Sequence, residues 1–372
     1  MPLGGQGGWA SPRVFASALP HHFPSLRTRC HSTNHAAYES KKMEEHDKEN
    51  NNVQKTSSGE SNNVHKTHPH RIIWGNVIGI TFFHLLAVYA LWILFWNFRI
   101  QTFIWGLALG VASGLGVTAG AHRLWAHRSY KARRPLQALL LLFYTMAGQN
   151  SVYEWVRDHR VHHKFSETDA DPHNAQRGFF FAHVGWLMQR KHPSVIAKGK
   201  QVDMSDIVDD PLLAFHTKYF IPLKILFCFV IPVAVPSLFW NEPWFHSFVL
   251  IGCLRYIIAL NITWCVNSAA HLWGFKPYDQ SIFPSQNKLV SFLAMGEGWH
   301  NYHHVFPWDY KTSEFGESLN ATRGFIDLCA SIGLAYDLKT APPRLVEQRA
   351  RRTGDGSHAS CTPHNKDDIH SS

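Results

Sequence analysis

The sequence predicts an all-α membrane fold, with four transmembrane helices in two hairpins and a cytosolic helical cap that holds a metal site. Three observations predict it. Four apolar stretches are each close to the ~20 residues a helix needs to cross ~30 Å of hydrocarbon, they are joined in pairs by short turns, and the 372 residues include 26 histidines, most of them outside those stretches.

Taken in order, residues 1–70 are rich in Ser, Asn, His and Gly without hydrophobic periodicity and are expected to be a disordered tail. The first 38 carry Arg13, Arg27 and Arg29 and no acid, a composition shared by organelle transit peptides and by plain solvated tails. The membrane domain with its cap is expected over 71–340, and 341–372 as a flexible C-terminal tail.

The spans are read at 72–96, 102–121, 218–240 and 246–266. The first turn is Asn97 to Gln101, and the second is centred on Asn241, Glu242 and Pro243. An even number of crossings places both tails and the long 122–217 segment on one side. That segment carries Arg123, Arg128, Lys131, Arg133, Arg134, Arg157, Arg160, Lys164, Arg190 and Lys191, whereas the opposite turns offer only Arg99. The positive-inside rule therefore puts the segment in the cytosol. The apolar run Leu136–Ala147, which follows Pro135, is too short to span and reads as a helix in the interface. Four span-length stretches in paired hairpins argue against buried helices of a soluble protein.

Bulk composition is less telling. Mean hydropathy is −0.18 because polar ends dilute an apolar middle. The net charge of +9 comes without a Lys/Arg block interleaved with aromatics, so nucleic acid is not expected as a partner and a lipid bilayer is. The six cysteines form no CxxC pair, which argues against a disulfide framework or a thiolate zinc site.

Histidine spacing carries the chemistry. His122 and His127 end the second span, and two HxxHH boxes follow: His159, His162 and His163, then His300, His303 and His304. Positions i, i+3 and i+4 share a helix face, so each box aims three imidazoles at one locus. Eight such nitrogens exceed the needs of one structural zinc and suit a pair of ions; imidazole alone does not choose among iron, zinc and copper. A carboxylate-bridged di-iron bundle would need two Glu-x-x-His pairs, and only Glu297 with His300 fits. No HExxH is present to suggest a zinc hydrolase. His84, His183, His192, His216 and His246 read as surface or hydrogen-bonded core histidines.

The stretches GAHRLWAHRSYKA, QNSVYEWVRDHRVHHKFSETDADPHN, RGFFFAHVGWL, NSAAHLWG, GEGWHNYHHVFPWDY and RRTGDG closely resemble those of the stearoyl-CoA (delta-9 acyl-CoA) desaturases, over about residues 70–356. The resemblance implies a di-iron site, two Fe2+ ions held by His122, His127, His159, His162, His163, His271, His300, His303 and His304, with Asn267 linked through water; His271 comes from the resemblance alone. It implies no catalytic residue beyond these ligands. Reduced iron with O2 as co-substrate would place a cis double bond in a saturated fatty acyl-CoA, most simply at delta-9; a delta-11-type desaturase or an acyl hydroxylase is the alternative.

The same resemblance assigns substrate binding to Asn76, Gln149, Asn150, Trp155, Arg157, Asp158, Arg190, Lys191, Thr263 and Trp264. It also implies residence in the endoplasmic reticulum membrane with both termini cytosolic. Electrons would come from a separate cytochrome b5 with its NADH-dependent reductase, since no HPGG haem motif follows residue 310. Ala126 and Asp169 depart from common family residues without touching a ligand position. Glycines 106, 110, 114, 116 and 120 on the second span suit close helix packing, and Gly106 or Gly110 is a candidate for limiting acyl length.

Overall fold

The computed structural model describes residues 71–314 and 319–361; the N-terminal tail expected over 1–70 lies outside them. Helix α1 spans Trp74–Trp96 and α2 spans Ile100–Ala126. A two-residue strand β1 (Lys131–Ala132) precedes α3 (Arg134–Ala147) and α4 (Val152–Phe165). After several short helices come α5 (Phe220–Trp240) and α6 (Trp244–Leu272). The cap is completed by α7 (His300–Val305), α8 (Ala321–Ser331), β2 (Ala335–Tyr336) and α9 (Pro343–Thr353). Strands β1 and β2 pair antiparallel, with Lys131 opposite Tyr336. The described chain is otherwise helical.

The four long helices are the four expected spans. In α1 and α5 only 17% of the most apolar window is buried, against 56% in α6. Side chains such as Phe95, Trp96, Leu238 and Phe239 therefore face outward, where lipid is the solvent that suits them. The second and fourth spans run past the ends read from hydropathy, to Ala126 and Leu272. Polar residues silence the hydropathy signal there, but these last turns are packed inside protein: every residue from Gly116 to Ala126 is buried. The extensions carry His122 and His271.

The two hairpin turns meet at one end. Arg99 Nη1 donates to Trp240 O (3.1 Å) and Asn241 O (3.4 Å), and Trp240 Nε1 donates to Thr102 Oγ1 at 2.8 Å. The Thr102 hydroxyl in turn donates to the buried carboxylate of Glu242. With both turns locked together, the far ends of α2 and α6 rise side by side. Arg255 ties the bundle in the middle: its guanidinium donates to Cys228 O of α5 (2.8 Å), Met146 O of α3 (3.2 Å) and Ile251 O (2.9 Å). A charge inside an apolar span is costly unless satisfied in this way.

Helix α3, expected from residue 136, starts at Arg134 with Pro135 in its first turn, where the missing N–H costs nothing. Its Leu136, Leu140 and Tyr144 are buried, and it lies directly against α2. A Cβ on Gly116 would sit 2.1 Å from Tyr144 N, so the helices approach to backbone contact there.

The tail expected to be flexible from 341 is corrected for the described part of it. Helix α9 buries Val346 and Ala350, Arg349 pairs with Asp279 at 2.6 Å, and His358 Nε2 lies 2.7 Å from Glu314 Oε2. The sequence of α9 is strongly charged, and its thin apolar stripe was masked by RRTGDG polarity.

The contact at Gly116 yields a sharp comparison. Gly116→Ala is expected to destabilise the protein by the ~1–3 kcal/mol typical of overpacking or more. Gly324→Ala on α8, where a Cβ meets nothing within 4 Å, should be neutral or gain up to ~1 kcal/mol. Thermal unfolding of the two variants in detergent micelles checks this.

Candidate metal centre

Nine histidines drawn from five segments converge beside the far ends of α2 and α6. His122 comes from α2, His127 from the turn after it, and His159, His162 and His163 from α4. His271 ends α6, and His300, His303 and His304 lie on α7. They fall into two groups. His122, His127, His159, His163 and His303 place one nitrogen each within 4.8 Å of one another, and so do His162, His271, His300 and His304.

The spacing is that of a coordination sphere. Nε2 of His303 lies 3.0 Å from Nε2 of both His122 and His163, and His127 and His159 are 2.8 Å apart. In the second group His300 Nε2 is 3.0 Å from His271 and 3.1 Å from His304. Two nitrogens bound at right angles to one ion at ~2.1 Å lie ~3.0 Å apart. Hydrogen bonds alone do not account for so many nitrogens facing inward.

Buried carboxylates settle which ring nitrogen faces in. His162 Nδ1 donates to Asp171 Oδ1 at 2.8 Å, His271 Nδ1 to Glu167 Oε1 at 2.6 Å, and His122 Nδ1 lies 3.0 Å from Glu297 Oε2. In a neutral imidazole whose Nδ1 holds the proton, Nε2 presents a lone pair. Asp171 and Glu167 thus aim lone pairs of His162 and His271 at the centre, the outer-shell arrangement that orients metal ligands, while Glu297 lies against His122. Glu297 is the single Glu-x-x-His carboxylate of the sequence, and it serves His122 and Arg123 Nε (3.0 Å). Arg123 continues to Tyr310 O (2.9 Å) and Asn320 Oδ1 (3.2 Å), tying the site to α8.

Electrostatics favour the neutral form at six of these histidines, whereas Asp171 raises the pKa of His162 against its burial. Burial, then the neighbouring imidazoles, pushes the pKa of His127, His159, His163, His300, His303 and His304 well below the ordinary histidine value. Burial opposes the charge on Glu297, yet Arg123 and His122 hold its carboxyl down at about 2. Burial likewise opposes Asp171, which its partner His162 keeps below the carboxylate range.

Two cavities adjoin the site. The outer, ≈ 380 Å³, is lined by α1, the 148–150 turn and α6, with Asn76, Asn150, Asp158, Lys224, Tyr256 and Trp264 among its residues. The inner, ≈ 110 Å³, runs between α2 and α6 past Gly110, Ser113, Val117 and Ile262. Gln149, Trp155, His159, Thr263 and Asn267 line both, forming a waist at His159, and the inner cavity also meets His122, His162 and His300, so that it borders both histidine groups. The waist is braced by hydrogen bonds from Trp155 Nε1 to Gln149 Oε1 (2.8 Å) and from Gln149 Nε2 to Thr263 Oγ1 (3.0 Å), and Trp155 stacks on His159.

All nine histidines named in the sequence are brought together, with Asn267 beside them at the waist. Asp169 is exposed and in neither group. Of the ten residues expected at substrate, seven line the outer cavity: Asn76, Gln149, Asn150, Trp155, Asp158, Thr263 and Trp264. Arg157, Arg190 and Lys191 do not. Arg157 and Lys191 both pair with buried Asp158, and Arg190 is exposed.

The other histidines stay outside the groups. His84 bonds Ile80 O, His183 bonds Ser268 and Asn261, His192 caps Ser194 N, and His246 lies 3.7 Å from Glu242. His216 is buried with neither ring nitrogen hydrogen-bonded, so for it the expectation of a surface or bonded residue is corrected. Sequence reasoning passed over Glu167 and Asp171, whose only signal was an acid a few residues after an HxxHH box, and Lys224, a lone cation in an apolar span.

The family model for fatty acid desaturases matches residues 98–310. The chain is 55% identical over 289 residues to the Acyl-CoA Delta-9 desaturase of Acheta domesticus, covering 77% of this chain and 80% of the relative. It is 54% identical to the Acyl-CoA Delta12-desaturase of the same organism (77% and 81% covered) and 52% identical to the Acyl-CoA Delta(11) desaturase of Trichoplusia ni (78% and 84%).

The two-group geometry makes a prediction about metal binding. Asp171→Asn is expected to weaken uptake at the four-histidine group by ~10–100-fold while the five-histidine group keeps its affinity. A metal titration followed by inductively coupled plasma mass spectrometry should show one of two binding steps displaced.

Proposed function

This chain belongs to the fatty acid desaturase family, and we propose that within it the protein is an O2-dependent delta-9 acyl-CoA desaturase of the endoplasmic reticulum membrane. The observation that carries the reading is the waist: two cavities share a lining at Gln149, Trp155, His159, Thr263 and Asn267, and histidines of both groups line the inner one.

In this reading each histidine group would hold one iron, with Asn267 linked to the pair through a water. Two irons, when bound, supply the oxidising power to remove a hydrogen from each of two adjacent unactivated methylenes, which no side chain can do. The protein's own residues bind and aim. Asn76, Asn150 and Trp264 contact the head of the substrate, and Arg157, Arg190 and Lys191 sit outside the cavity where they suit the CoA phosphates, with Asp158 fixing two of them. Gln149, Trp155 and Thr263, locked to one another, bend the chain at the waist so that one pair of carbons faces the metals. The inner cavity takes the methyl end and excludes water.

Double-bond position then depends on the path length from head-group contacts to waist. Overall identity does not decide it, because relatives of three regiochemistries lie between 52% and 55%. The delta-9 relative and the family resemblance support the assignment made. A cytosolic site with both termini on that side follows from the Arg and Lys excess of 122–217 and from the joined hairpin turns at the opposite end. Electrons are assigned to cytochrome b5 and its NADH-dependent reductase.

Fatty-acid profiling in a desaturase-deficient yeast tests the function. The wild type should yield cis-9 monounsaturated acids and His162→Ala none; a delta-11 or hydroxylated product would assign the alternative. Acyl length is tested at Gly110. A Cβ there meets nothing within 4 Å and the residue lines the inner cavity, whereas at Gly106 it would touch Ile251 Cδ1 at 3.2 Å. Gly110→Met is expected to shift product toward shorter chains, read as the ratio of C16 to C18 monoenes.

A further inference from the structure

Three Lys or Arg side chains occur in the described spans, and two are saturated. Arg123 is held by Glu297, Tyr310 O and Asn320, and Arg255 by three carbonyls. Lys224, one turn into α5, differs. Its Nζ donates to Tyr256 Oη at 3.2 Å, and among the described residues no carboxylate pairs with it. Tyr256 passes its own proton on to Gly148 O at 3.0 Å, so the phenol accepts from the lysine and has nothing left to give the cavity. The ammonium keeps two further N–H bonds. An ionisable side chain within a span that faces a cavity rather than a partner marks a functional site.

That cavity is the outer one, and Lys224 is the only Lys or Arg among the residues that line it. The cationic residues expected there, Arg157 and Lys191, are turned onto Asp158. Lys224 therefore gives the cavity its uncompensated positive charge. Its position along the path is also defined: Tyr256 bonds Gly148, the residue next to Gln149 of the waist, so the ammonium stands on the wall just outside the bend. A saturated acyl chain has no hydrogen-bond acceptor from the reacting methylenes back to carbon 1. The first acceptor a cation on that wall meets is the oxygen on carbon 1.

We infer that Lys224, held by Tyr256, binds the carbon-1 oxygen of the acyl chain and so sets how far the chain runs before it reaches the waist. The inference rests on the acyl-CoA reading above. The same chemistry would accept a thioester carbonyl or the carboxylate of a free fatty acid, and the ligands below separate the two.

The test is equilibrium binding to the full-length, metal-loaded protein of stearoyl-CoA, of its S-octadecyl thioether analogue, which lacks the carbonyl oxygen, of stearate and of CoA alone. Wild type should bind stearoyl-CoA about tenfold or more tightly than the thioether, as a charge-assisted hydrogen bond warrants. Lys224→Met, which keeps the stem and removes a buried cation, should bind both alike at the thioether's affinity. A loss confined to stearate would assign the oxygen to a free carboxylate.

Thermal unfolding and metal content of Lys224→Met, expected to match wild type, exclude a folding defect. In Tyr256→Phe the ammonium remains but loses its anchor, and the preference for the carbonyl should shrink without vanishing. Equal affinities for thioester and thioether in wild type, or an undiminished preference in Lys224→Met, would overturn the inference. Failure of wild type to bind stearoyl-CoA better than CoA would instead overturn the acyl-CoA reading on which it stands.

Discussion

Converging lone pairs are what the rest of this structure must accommodate. Nine imidazoles with nitrogens about 3 Å apart repel one another unless a cation lies among them, and at His127, His159, His163, His271, His300, His303 and His304 burial opposes escape from that conflict by taking up protons. Carboxylates fix the tautomers at His162 and His271, a third, Glu297, lies against His122, and Arg123 neutralises it. The ligands come from segments as far apart as residues 122 and 304, so the fold itself has to close before the centre exists.

Seen from that centre, the membrane helices are a scaffold with two tasks. The first is to deliver His122 and His271 at the ends of α2 and α6, which needs both helices to continue past their apolar stretches and the opposite ends to be tied. Arg99, Thr102, Trp240 and Glu242 provide the tie. The second is to leave a path between α2 and α6 that glycines keep open at Gly110 and closed to the backbone of α3 at Gly116. Charges inside the bundle are all satisfied by carbonyls or carboxylates except at Lys224, and that exception points into the path.

Much of this was legible in the sequence because periodicity and spacing are local. Apolar runs located the four spans, and the HxxHH boxes located six of the nine clustered histidines by helix geometry alone. What was not legible depends on contacts across the chain. His271 is a single histidine after NSAA and joins the cluster only where α6 overruns its apolar stretch. Glu167, Asp171 and Glu297 look like ordinary acids until their partners are known, and Glu297, too isolated in sequence for a carboxylate-bridged centre, turns out to pair with His122 and Arg123. Arg157 and Lys191 read as a cationic mouth, but Asp158 draws both aside. The helix at 343–353 was hidden for the opposite reason, since four arginines in eleven positions outweigh the two residues it buries.

X-ray absorption at the iron edge of the purified, iron-loaded protein tests the central claim most directly. The account predicts two irons per chain, ligated chiefly by imidazole nitrogen with multiple-scattering features of histidine and no bridging carboxylate. A single iron per chain, or a pair bridged by the Glu297 carboxylate, would contradict it.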